Sequence, residues 1–151
     1  HVVELSPQRA AKALELGANT TIDPSKEDPV AKLRDLTGGG VDVAFEVTGV
    51  PAVLRQCIEA THYEGETVIV SIWEKDAAFQ PNTVVLKERV IRGIIAYRDI
   101  FPAVMQLMTR GYFQADRLVT KRIKLDDIVA EGFETLVREK QHIKILVEAP
   151  T

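Results

Sequence analysis

Cysteine is all but missing: the 151 residues hold one, Cys57. A single thiol excludes an internal disulfide framework and fits a reducing compartment. Long hydrophobic runs are missing too. No apolar stretch of about 18 residues occurs, and the opening "HVVELSPQRAAK" lacks the charged-then-apolar design of a signal peptide. Nor is there an excess of positive charge. Lys and Arg number 19 against 22 Asp and Glu, the formal net charge is -3, and no long basic run is present, which excludes a nucleic-acid or anionic-membrane surface as the main business. Histidine is sparse: His1, His62 and His142 lie far apart and near no second ligand of metal-site spacing, so no zinc site is expected from this chain alone. The chain does not open on methionine but directly on an apolar, strand-like run, and is expected to be a fragment of a longer protein. What remains, 46% hydrophobic and 27% charged residues in the length of one domain, describes a globular protein suited to small-molecule chemistry, with the cytoplasm as its expected location.

Helix and strand signals alternate. "HVVEL" reads as a short buried strand, and Ser6-Pro7 follows as an N-cap with proline at the first helical position. Ala10, Ala13 and Leu14 recur at helical spacing up to Gly17, and "TTID" reads as an edge strand. Asp28-Pro29 repeats the cap signal ahead of Val30, Leu33 and Leu36, and that helix stops at Gly38. "VDVAFEV" (41–47) suits a strand buried on most of both faces. Pro51 opens a helix with Val53, Leu54, Cys57 and Ile58 on one side; "TVIVSI" (67–72) is the clearest strand, and "RVIRGIIA" (89–96) is another. This alternation implies an α/β fold with a parallel sheet and right-handed crossovers. Beyond Ala96 the spacing predicts a helix through Phe101, Val104, Leu107 and Met108, an extended "LVTKRIKL", a helix capped by Asp126 or Asp127 and carrying Ile128, Phe133 and Leu136, and a last strand "IKILVEA". Residues 1–96 and 97–151 are read as two portions, the second a separate lobe.

The conspicuous glycines are Gly38, Gly39 and Gly40, yet they follow a helix and precede a strand. A phosphate-binding turn lies the other way round, so the triplet reads as a helix stop and turn. Thr48-Gly49 does follow a strand and precede a helix, at the carboxyl edge where parallel sheets bind ligands; a plain turn fits that position equally well. Glu4 ends the first strand, where an acid can accept hydrogen bonds from a ribose, with Arg9 five residues on, although a strand-end acid is more often simply solvated. Cys57, on an apolar helix face with no histidine at helical spacing, reads as structural. Trp73 is either a core residue at a strand end or the wall of a pocket.

From "HVVELSPQRAAKALELGANTTIDPSKEDPV" through "GGGVDVAFEVTGVPAVL" to "HIKILVEAP", the whole chain resembles the cofactor-binding half of the zinc-dependent medium-chain alcohol and polyol dehydrogenases. "SIWEKDAAFQPN" and "GIIAYRDIFPAVMQLM" are most similar to bacterial members that interconvert acetoin and 2,3-butanediol. The resemblance implies a partial doubly wound, Rossmann-type parallel sheet without its first strand and GxGxxG turn, joined to the C-terminal part of a catalytic lobe. It implies NAD as cofactor, with Glu4 on the ribose and Arg9 over the adenosine. Thr48 and Gly49 would form the turn facing the cofactor, Ile72, Trp73 and Ala96 would lie along the nicotinamide side, and Lys144 at the pyrophosphate. The zinc would be held by residues outside this chain, which contributes neither a catalytic residue nor a metal ligand. The implied partners are a small alcohol or diol and further copies of the chain, in a homodimer or homotetramer paired along the "RVIRGII" edge. "HYEGET" (62–67) and Lys121 depart from the family pattern, where a Pro-Gly-Gly turn and a histidine are common; both are expected at turns or in solvent.

The expected function is thus that of an NAD-linked secondary-alcohol dehydrogenase, with the 151 residues inactive by themselves. A polyol or threonine dehydrogenase of the same family is the enzymatic alternative. An NAD-binding or partner-docking module without catalysis is the non-enzymatic one.

Overall fold

The computed structural model describes residues 1–149. Two compact units emerge: one comprises Ile22–Arg98 with His1, the other Val2–Thr21 together with the residues from Asp99 onward.

The first unit contains a three-stranded sheet. Asp28 caps helix α2 (Pro29–Thr37), its carboxylate accepting the N–H groups of Val30 at 2.8 Å and Ala31 at 3.3 Å, and Gly38 closes it in the left-handed conformation. The chain then runs through β3 (Val41–Glu46), α3 (Pro51–Ala60), β4 (Thr61–Ile69), a short α4 (Asn82–Val85) and β5 (Val90–Gly93). The sheet order is β3-β4-β5 and both pairings are parallel, as the alternation of signals predicts. Helix α3 buries Leu54, Ile58 and Ala60 against β3, β4 and α2, each large side chain contributing about 1.5–3 kcal/mol of burial.

Two expectations for these strands are corrected. Strand β3 is not buried on both faces: α2 and α3 cover the face of Ala44 and Glu46, while Val43, Phe45 and Val47 remain 42%, 64% and 63% exposed. β-branched content reports strand propensity, not how many faces are covered. Strand β4 begins earlier and ends sooner than "TVIVSI" suggests. Its ladder starts at Thr61, and the register slips between Val41↔Thr61 and Val43↔Glu66, so residues 62–65 loop out. It stops at Ile69 because β3 and β5 end at Glu46 and Gly93; Val70 N–H reaches Glu46 O at 2.9 Å, and nothing follows for the ladder to pair with.

The looped-out segment is held from two sides. Gly40 sits beneath it with φ +146°, and a Cβ there would lie 2.7 Å from His62 N and 2.8 Å from Ala60 O. Arg89 donates to Thr83 O at 2.7 Å, Glu59 O at 3.3 Å, His62 O at 3.4 Å and Thr61 O. Arg34 also reaches Glu59 O, at 2.7 Å. Two guanidinium groups thereby occupy the carbonyl-rich end of α3, where positive charge is favourable.

In the second unit, α1 (Pro7–Glu15) starts as its sequence predicts, with Ser6 as N-cap and Pro7 in the first turn. Strand β1 (Val2–Val3) pairs with β2 (Thr21–Ile22) in a two-stranded ribbon. The "HVVEL" run is not a buried strand: only two residues are extended, and Val3 and Leu5 are 42% and 65% exposed, since so short a ribbon offers no broad surface to bury against. Helices α5 (Phe101–Thr109) and α6 (Ala115–Leu118) precede β6 (Val119–Lys124), which runs parallel to β7 (Lys144–Glu148). Between these strands lie a 3-10 turn (Leu125–Asp127), a π-helical turn (Ile128–Phe133) and α7 (Glu134–Arg138). Neither Asp126 nor Asp127 caps this helical segment through its side chain. The 3-10 turn already pairs the Ile128 N–H with Leu125 O, which removes the need for a carboxylate. Gly132 packs beneath the buried Ile123, and Arg117 ties α6 to the end of α1 through the carboxylate and the carbonyl of Glu15, at 2.9 and 3.0 Å. Lys121, half-buried, pairs with Glu131 at 3.1 Å. Among the described residues no helix is long and apolar enough to cross a membrane.

Candidate functional site

The carboxyl ends of β3 and β4 meet at an acidic side chain that sequence reasoning passed over. Glu46, the last residue of β3, is fully buried. Its Oε1 accepts the Thr48 N–H at 2.7 Å, the Thr48 hydroxyl at 2.6 Å and the Gly49 N–H at 3.0 Å, and its Oε2 accepts the Ser71 hydroxyl. Burial pushes the carboxyl pKa up, but the donors from Ser71, Thr48 and Gly49 outweigh it and hold the group below the ordinary carboxylate range. The available signal was the spacing Glu-Val-Thr-Gly, an acid two residues before a hydroxyl at a strand-to-helix turn, a pattern in which side-chain oxygens bond the backbone locally.

That turn brings three of the expected site residues together. Gly49 has φ +70°, and a Cβ there would lie 3.3 Å from Ile72 O, so Thr48-Gly49 and Ile72 are closely apposed. A side chain at position 49 would fill the approach between the two loops. Ile72 projects into solvent, 84% exposed, and Trp73 beside it is half-buried. Ala96 is exposed three residues past the end of β5, on the same carboxyl edge. The glycine triplet is at the opposite end of β3, closing α2 and turning the chain into the sheet.

Glu4, Arg9 and Lys144 belong to the second unit. Glu4 accepts the Ser6 N–H at 2.8 Å, and the Ser6 hydroxyl oxygen accepts the Arg9 N–H at 3.4 Å. Arg9 Nη2 donates to His142 O at 3.1 Å, two residues before Lys144, while its buried Nε has no partner among the described residues. Lys144 opens β7, and its carbonyl accepts the Thr120 hydroxyl at 3.1 Å. Among the described residues no group of three or more His, Cys, Asp or Glu is placed to hold a metal.

The family described as zinc-binding dehydrogenase matches residues 1–110. The (R,R)-butanediol dehydrogenase of Bacillus subtilis (strain 168) is 64% identical over 148 residues, covering 97% of this chain and 42% of its own length. That of Neisseria gonorrhoeae is 42% identical over 149 residues, with the same coverage of 97% and 42%. A sorbitol dehydrogenase from Gallus gallus is more distant, 32% identical over 150 residues, again covering 97% and 42%. The crystal structure of 2R,3R-butanediol dehydrogenase from Bacillus subtilis superposes with a TM-score of 0.92 at 63% identity, over 99% of this chain and 43% of that one. The chain thus spans about 42% of the length of the curated relatives it matches. With a parallel α/β sheet, a family match over most of its length and near-complete overlap with a solved member, the chain belongs to the zinc-binding dehydrogenase family.

Proposed function

We propose that the chain is the cofactor-facing part of an NAD-linked, zinc-dependent secondary-alcohol dehydrogenase that interconverts 2,3-butanediol and acetoin. Residues 1–96 belong to the NAD-binding portion, and residues 97–151 contribute to the catalytic lobe. The observation that carries this reading is the 64% identity, over nearly the whole chain, with a butanediol dehydrogenase. The polyol alternative has weaker support, since identity falls to 32% for a sorbitol dehydrogenase.

NAD fits the residues present. Gly49 leaves backbone open beside Ile72 O at a carboxyl edge of a parallel sheet, and the buried Arg9 Nε is a donor without a partner among the described residues. In this reading Thr48 and Gly49 form a turn facing the cofactor, and Ile72, Trp73 and Ala96 line the nicotinamide end. Glu4 accepts from the adenosine ribose, Arg9 lies over the adenosine and Lys144 meets the pyrophosphate. Bound there, NAD supplies a hydride acceptor. Among the described residues no donor set is placed for zinc, and in this reading the metal of the intact protein is held by residues outside this chain.

Steady-state kinetics on the intact protein test the reading. Turnover of 2,3-butanediol with NAD is expected, with kcat/KM at least about tenfold above that for sorbitol. Equal or reversed preference would favour the polyol enzyme. The 151 residues by themselves are expected to show no dehydrogenase activity. A cytoplasmic homodimer or homotetramer completes the proposal: β5 ends the sheet, and its outer row of N–H and C=O groups is suited to pairing with a second copy. A monomer in sedimentation at micromolar concentration would count against that association.

A further inference from the structure

Glu46 joins, through its hydrogen bonds, the loop after β3 to the loop after β4. Through Oε1 it holds three donors of the Thr48-Gly49 turn, and through Oε2 the hydroxyl of Ser71, 25 residues further along the chain. All four partners donate, which suits an ionised carboxylate, an acceptor at both oxygens. The N-cap residue of α3, Val50, makes no side-chain bond; its N–H is accepted at 3.2 Å by the Thr48 hydroxyl, which itself donates to Glu46. The two loops so joined carry Gly49 and Ile72, and a Cβ at position 49 would lie a tight 3.3 Å from Ile72 O.

We propose that Glu46 is a positioning residue for the cofactor, setting the distance between the Thr48-Gly49 turn and the Ser71-Ile72 backbone without touching the cofactor itself. The proposal rests on the assignment of these loops as cofactor contacts. Without the carboxylate, two backbone N–H groups and two hydroxyls lose their shared acceptor, and the two loops are free to separate. The consequence falls on cofactor affinity, not on the alcohol.

The test uses the intact protein and its Glu46→Ala, Glu46→Gln and Ser71→Ala variants. NADH affinity is read by fluorescence titration, and KM for NAD and for the alcohol by kinetics, all below the melting temperature of each variant. Glu46→Ala is expected to weaken NADH binding and raise KM for NAD by about tenfold or more, with KM for the alcohol changed less than about twofold. Glu46→Gln is expected to stay within about threefold of the parent, because its carbonyl oxygen keeps the turn donors and its amide donates to the Ser71 oxygen. Ser71→Ala cuts only the link to the second loop and is expected to weaken NADH about threefold or more. A folded Glu46→Ala protein with a lowered melting temperature but parental NADH affinity would overturn the proposal. Should Glu46→Ala not fold, Ser71→Ala decides, and parental affinity there overturns it. If the unsubstituted protein binds no NADH, the cofactor assignment itself fails, an outcome distinct from a parent that binds and a variant that binds equally well.

Discussion

Cys57 lies half-buried on α3, and burial, reinforced by the nearby Glu46 charge, pushes its thiol pKa up to about 11. The reactive thiolate is therefore scarce at neutral pH, which agrees with its position on an apolar helix face. Modification by a soluble disulfide reagent at neutral pH is expected to run at least about tenfold slower than for free cysteine, and unfolding should remove the difference. A native rate equal to that of free cysteine would contradict it. His62 presents the opposite case, with Nε2 2.9 Å from Asp42 Oδ1 and Nδ1 against Tyr63 O. Both neighbours are acceptors, so both contacts are satisfied together only by the imidazolium. Asp42 first, then the Tyr63 carbonyl and the charge of Glu64, hold its pKa above the ordinary 6.5. Because the folded value is raised, this pair stabilises fully below the ordinary value and its contribution fades as pH rises through the raised one. An NMR titration should place the His62 midpoint above 6.5, and Asp42→Asn should lower it; a midpoint at or below 6.5 in the parent would remove the pair from the folding balance.

At the scale of elements, the glycine triplet separates two kinds of constraint. Gly38 ends α2 with φ +69° and open space around its Cβ position, whereas Gly40 faces backbone atoms of Ala60 and His62 at under 3 Å. Gly38→Ala is expected to cost about 1–2 kcal/mol, the strain of a left-handed alanine. Gly40→Ala must also displace β4 backbone and is expected to cost more, about 3 kcal/mol or above. Urea unfolding of the two variants measures the difference, and equal costs would mean that the looped-out residues 62–65 yield freely. Helix starts were legible because each is a local event. Ser6-Pro7, Asp28-Pro29 and Pro51 all open helices where the sequence places them. The failures were at ends fixed by neighbours: β4 stops where β3 and β5 stop, and the 3-10 turn displaces an aspartate cap.

For the molecule as a whole, the proposed placement of Glu4 at the ribose predicts a preference for NAD over NADP, since a carboxylate there repels a 2'-phosphate. In the intact protein kcat/KM for NAD should exceed that for NADP by about tenfold or more, with Glu4→Gln narrowing the gap; equal use of the two by the parent would refute the assignment. Most of the α/β order was readable from capping residues and periodicity, as were the turn at Thr48-Gly49 and the structural nature of Gly38 to Gly40. What stayed hidden depended on partners distant in sequence. Glu46 looks like one more strand residue until Ser71 arrives 25 positions later, and nothing local to Arg9 reveals that its guanidinium meets His142 O. The exposure of Val43, Phe45 and Val47 is equally invisible in a β-branched run, because burial depends on which face the helices cover. By itself the sequence determined where helices start, which segments extend and which family the chain resembles, since backbone preferences and capping act within a few residues. Tertiary structure alone decided which polar groups were shielded from water and paired with each other, because those pairings require segments remote in the chain to meet.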